Sequence, residues 1–152
     1  MDATTDVLVT AVDAVTAQDL AGLSTAELQA QVAVVAPLVQ RLEAFLALAA
    51  AQLSARTGGR LATEDGGSRS VAGWMAEVSG DSPAAAGRAV RTANALQEAL
   101  PRVALAVLDG RVPWVRAQVL TRLVGRVDAE ALWEAQDALL TTAQQLDPVQ
   151  LG

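Results

Sequence analysis

Apolar positions recur at helical spacing almost from the start of the chain. Leu8, Val12 and Val15 stand four and three apart, which predicts a first helix from Thr5 to about Gln18, with Thr5 able to cap it. The second predicted helix is the best marked. Ser24-Thr25-Ala26-Glu27 is a capping box, Leu23 and Leu28 can close a hydrophobic staple around it, and Gly58 offers a left-handed stop. A helix from Thr25 to about Thr57 follows, about 50 Å long at 1.5 Å per residue. Pro37 lacks an amide hydrogen and crowds the preceding turn, so a kink is expected there. Along this helix Leu28, Val32, Val35, Val39, Leu42, Leu46, Ala49 and Leu53 form a seam of alternating four- and three-residue steps. The seam's flanks hold Ala36, Leu38, Phe45 and Ala50 where a two-stranded zipper would carry charges, so the apolar face is wide. The seam is expected to line a bundle core, with homodimerisation through it as the alternative.

The stretch Thr57 to Gly67 has four glycines in eleven residues and reads as a linker. It is no phosphate-binding loop, because G-x-x-x-x-G-K-[ST] is absent and the chain has no lysine. From Ser70 the punctuation becomes regular. Ser70 caps a short helix containing Trp74 and Met75, Gly80 ends it, and Ser82-Pro83 opens another to about Leu100. Pro101 starts the next, Asp109-Gly110 ends it, and Pro113 opens the helix of Trp114, Val115, Val119, Leu120 and Leu123. These are two helix-turn-helix-like units. After Gly125, Asp128 is expected to cap one helix through Leu132, Trp133, Ala135, Leu139 and Leu140 to about Gln145. Asp147-Pro148 then announces a helix that stops within a turn, which one turn cannot sustain alone. That reads as a truncated domain, with a frayed tail as the alternative. The fold class is all-α: a helical bundle with one long kinked helix and two helix-turn-helix-like units. Residues 1–22 form an N-terminal helix and 23–152 the main domain.

Composition narrows the chemistry. Over 152 residues, 52% are hydrophobic and only 3% aromatic, which suits closely packed helices. Trp74, Trp114 and Trp133 have apolar neighbours and are expected inside. There is no His and no Cys, so Ser-His-Asp or Cys-His nucleophilic sites, zinc sites of the usual ligands and disulfides are all excluded. No metal site and no cofactor are expected. The start of the chain has Asp2 and Asp6 and no basic residue, unlike a secretory signal. The longest charge-free runs, Leu28 to Gln40 and Ala44 to Ala55, fall short of the roughly 20 residues of a spanning helix. A soluble, cytoplasmic protein without membrane contact is the expectation.

Charge is uneven. The net charge is −6, yet Arg56 to Arg126 holds ten of the 11 arginines against six carboxylates, while the segments before Pro37 and after Arg126 hold no basic residue. Either the acidic ends pair with this basic centre, or the centre binds a polyanion.

The ordered series Asp65-Gly66, Ser70, Trp74-Met75-Ala76, Gly80-Asp81-Ser82-Pro83, Ala86, Val90, Ala93, Leu96, Leu100-Pro101, Ala106-Val107-Leu108, Gly110, Val112, Ala117 and Leu146-Asp147-Pro148 resembles domain of unknown function 222, the 13E12 repeat family. The likeness spans about Leu23 to Gly152. It implies an all-helical N-terminal domain of proteins from GC-rich bacteria, many of which continue into an H-N-H endonuclease domain. That chemistry needs His, which this chain lacks, so the resemblance implies a non-catalytic part. The family's helical domain brings no established role. Two departures are Pro113, where the family usually has a Ser cap, and Arg116, where His is frequent.

Three functions compete. The first is binding or positioning of double-stranded DNA, because Ala76, Gly80 and Ser82 have the spacing of a helix-turn-helix. Arg88, Arg91 and Asn94 then share a helix face, and Arg122 and Arg126, with Arg116 further round, form a second basic edge. The second is an interaction or dimerisation module built on the Leu28 to Leu53 seam. The third, an enzyme using Glu64 and Asp65, is disfavoured, since adjacent acids in a glycine-rich loop are usually solvated.

Overall fold

The computed structural model describes residues 1–145, so the expectations for Leu146, Asp147 and Pro148 lie outside the described residues. Its elements are α1 (Ala3–Thr16), a 3-10 turn (Leu20–Gly22), α2 (Thr25–Thr57), strands β1 (Arg60–Ala62) and β2 (Ser68–Ser70), α3 (Val71–Ser79), α4 (Pro83–Ala99), α5 (Pro101–Leu108), α6 (Trp114–Leu120), a second 3-10 turn (Thr121–Leu123), α7 (Ala129–Glu134) and α8 (Gln136–Gln145). The all-α reading holds, with one small hairpin added. The chain divides into two compact units, Met1–Ala36 and the residues from Pro37 on.

In the first unit α1 starts earlier than the apolar spacing suggested. Asp2, not Thr5, is its cap: the Asp2 carboxylate accepts from the Thr5 amide at 2.9 Å, and that bond holds it below the usual carboxylate range. The capping box of α2 forms as its residues dictate. The Ser24 amide donates to Glu27 Oε2 at 2.7 Å, and the Glu27 amide donates to Ser24 Oγ at 3.2 Å. The first of these bonds is the main reason the Glu27 carboxyl is also lowered.

The second unit is built around one apolar core. α2 contributes Ala44, Ala47, Leu48 and Ala51, α4 contributes Ala93 and Leu96, and α5 contributes Val103, Ala106 and Val107. Trp114 and Ala117 of α6, Leu132 of α7, and Leu140 and Ala143 of α8 complete it. On α2 it is the small side chains, with Leu48, that meet the larger core residues of α4 and α5. The seam lies elsewhere. Leu28, Val32, Val39, Leu42 and Leu46 are exposed, Val35 is half-buried, and Leu53 packs under a second, smaller cluster with Ala50, Val71 and Val90. The expectation that the seam lines the core is therefore corrected. α2 is apolar nearly all round, and the face with small side chains is the one buried.

Three further expectations change. The Thr57 to Gly67 linker contains β1 and the turn of a hairpin whose second strand, β2, follows it directly, paired antiparallel with Leu61 opposite Arg69. Leu61 packs on the second cluster, and Arg69 forms an ion pair with Glu77 of α3. The predicted helix after Asp128 is two helices, parted at Ala135. At that break Gln136 turns fully inward: its Oε1 accepts from the Arg102 amide at 3.0 Å and its Nε2 donates to the Trp133 carbonyl at 3.3 Å. The Arg102 amide belongs to the first turn of α5, whose own cap position, Leu100, has no side-chain acceptor. Trp114 is buried and Trp74 half-buried, but Trp133 is 50% exposed, against expectation.

Candidate nucleic-acid interface

Two tight turns set the relative placement of the basic helices. Gly80, with φ +77°, closes α3 in the left-handed conformation, and Ser82 caps α4 by accepting from the Ala85 amide at 3.1 Å. Gly110, with φ +78°, ends the turn after α5, where a Cβ would stand 2.9 Å from Arg41 Cδ. Arg41 passes this point to donate from Nε to the Leu108 carbonyl at 3.0 Å, and Gln40 accepts the Val115 amide at 3.2 Å. The end of α5 and the start of α6 are thus held against α2.

With α4 and α6 so placed, Arg88 and Arg91 of α4 and Arg122 of the 3-10 turn line one cleft of about 450 Å³, together with Thr92, Ala95, Gln118 and Thr121. Positions 88, 91, 92 and 95 are one face of α4 by spacing, and 118, 121 and 122 are the facing edge. The lining carries three guanidinium groups and no carboxylate. Among the described residues the ion pairs are Arg69–Glu77, Arg102–Asp137 and Arg111–Asp109, so none of the three cleft arginines is neutralised by one. Arg91 lies back along α4, its Nη1 3.3 Å from where a Cβ on Gly87 would stand.

The remaining predicted residues do not join the cleft lining. Arg116 donates to the Ala143 carbonyl at the end of α8 and serves the packing there. Asn94 is half-buried, and Arg126 is exposed in the turn after Gly125. Thr92, Gln118 and Thr121 escaped the sequence reading, although each lies three or four residues from an arginine of the same face or beside one. Asp65 is occupied in the hairpin turn. Its carboxylate accepts from the Thr63 hydroxyl and from the Gly67 amide, in that order of effect, and both lower its pKa, the reverse of what a general acid at neutral pH needs.

The other exposed feature is apolar. Leu38, Val39, Leu42, Phe45 and Leu46 are 40–55% exposed along one face of α2. By length and mean hydropathy, 1.7 over its most apolar 18 residues, α2 also meets the requirement for a membrane-crossing helix. Arg41 and Glu43 nevertheless stand near its middle, and its Ala44, Ala47, Leu48 and Ala51 face is in the core.

A family model described as "Domain of unknown function (DUF222)" matches residues 29–152. The chain belongs to that family. No curated protein and no solved structure matches the chain. Both basic faces, and the glycine turns that set them, fall inside the part that matches DUF222.

Proposed function

We propose that this DUF222 domain is a non-catalytic module that binds double-stranded DNA through the Arg88–Arg91–Arg122 cleft. Where a family member continues into an H-N-H endonuclease domain, the module would position DNA for it. One observation carries the reading: three arginines separated by up to 34 positions meet in one cleft that has no carboxylate in its lining. The net charge of −6 weighs less than this local arrangement, because salt limits what a phosphate senses to about 10 Å at 0.1 M. A fluorescence anisotropy titration against duplex DNA at two salt concentrations tests it. Salt-sensitive binding is expected, and Arg88→Glu with Arg91→Glu should weaken it by at least about tenfold. Unchanged affinity in the charge-reversed protein would remove DNA from the account.

The exposed stripe from Leu38 to Leu46 favours a second, compatible reading, a homodimer through α2. A stripe that meets its own copy across a two-fold axis is self-complementary by construction, and this one is sufficiently apolar to benefit from burial. Sedimentation velocity over a concentration series should give a dimer that Leu42→Glu converts to monomer. A concentration-independent monomer mass at tens of micromolar would rule the dimer out.

A further inference from the structure

We infer that the arginine cleft holds the sugar–phosphate backbone and does not read base sequence, an inference that rests on the DNA-binding reading above. In helix-turn-helix docking, base edges are contacted from the first turn of the second helix. In α4 that turn is Pro83-Ala84-Ala85-Ala86, and Gly87 follows it. No side chain in it carries a hydrogen-bond donor or acceptor, and Ala86 is buried. The capping hydroxyl of Ser82 is engaged with the Ala85 amide. The first polar side chain of α4 is Arg88, a full turn later and already in the cleft.

The second helix-turn-helix-like pair has the same limitation. α6 opens with Trp114, which is buried, and Val115, which is apolar, and its Arg116 is engaged with the Ala143 carbonyl. Neither helix that follows a tight turn offers a base-reading side chain where docking would require one. What the cleft does offer is phosphate chemistry: three guanidinium groups and the hydroxyl of Thr92, with no aromatic ring for base stacking, while the Thr121 hydroxyl donates to the Gln118 carbonyl at 2.8 Å. Gln118 is the one lining side chain of a type that reads bases. It lies in the cleft among phosphate-binding groups and not in the first turn of its helix.

The test compares two duplexes of equal length, one A·T-rich and one G·C-rich, over a range of salt concentrations. Affinities within about threefold of each other are expected, with log K falling against log salt at a slope of about −2.7, the value for three phosphates. Neutralising one arginine at a time, as Arg88→Gln, Arg91→Gln or Arg122→Gln, should reduce the slope by about 0.9 each. Gln118→Ala should leave the ratio between the two duplexes unchanged. All four side chains lie on the cleft surface, and a circular dichroism spectrum matching wild type confirms that each variant is folded. A tenfold preference for one duplex, or a slope that the arginine variants do not alter, would overturn this inference while leaving DNA binding intact. No salt-dependent binding of the wild-type protein to either duplex would overturn both.

Discussion

Gln136→Ala is expected to lower the stability of the unit from Pro37 on by about 3 kcal/mol. Gln136 has no solvent exposure, and its carboxamide joins two helices: Oε1 accepts the Arg102 amide in the first turn of α5, and Nε2 donates to the Trp133 carbonyl. Removing it leaves an amide at a helix start without a partner, which costs about 1–3 kcal/mol, and adds the cost of a cavity. Gln136→Leu separates the two contributions. Leucine fills most of the space and keeps water out, so the loss should be about 1–3 kcal/mol, from the unpaired groups alone. Urea denaturation followed by circular dichroism measures both. Wild-type stability in the alanine variant would mean that α5 and α8 do not depend on this carboxamide. The Arg102–Asp137 ion pair at 2.7 Å crosses the same junction, but both side chains are more than half exposed, so it contributes little.

The second large effect separates the two apolar faces of the bundle. Leu96 has no solvent exposure and lies in the main core, so Leu96→Ala should cost about 3 kcal/mol, within the roughly 2–5 kcal/mol usual for such truncations. Leu46 belongs to the seam and is 51% exposed, so Leu46→Ala should cost less than about 1 kcal/mol when unfolding is followed at low protein concentration. The two substitutions remove the same atoms from a helix, and burial is the main difference between them. Equal losses would place the seam in the core and contradict the orientation of α2 described above.

Most element boundaries were legible because they rest on local chemistry. The capping box at Ser24, the Ser70 and Ser82 caps, the proline starts at Pro83 and Pro101, the left-handed Gly58 and the helix ends at Gly80 and Gly110 all follow from the sequence. The candidate cleft was legible in part. Arg88 and Arg91 had to share a face because they are three apart on one helix, but that Arg122 faces them follows from how α4 and α6 pack. Arg116 and Arg122 are the same residue type, six positions apart and so on different sides of the helical stretch. Arg116 donates to the Ala143 carbonyl near the end of α8, and Arg122 lines the cleft, which only the packing of α8 and α4 around this stretch decides.

Sequence alone, then, determined the helical class, nearly all helix starts and stops, and the concentration of arginine in the centre of the chain. Each follows from interactions within a few residues, where caps, proline and glycine act irrespective of what lies across the fold. Tertiary structure decided which face of α2 is buried, that the glycine-rich stretch folds as a hairpin, that the helix after Asp128 breaks at Ala135, and which arginines meet. Those outcomes depend on contacts between residues far apart in the chain. On a helix that is apolar nearly all round, periodicity cannot choose a face, and side-chain contacts with residues far along the chain settle the matter.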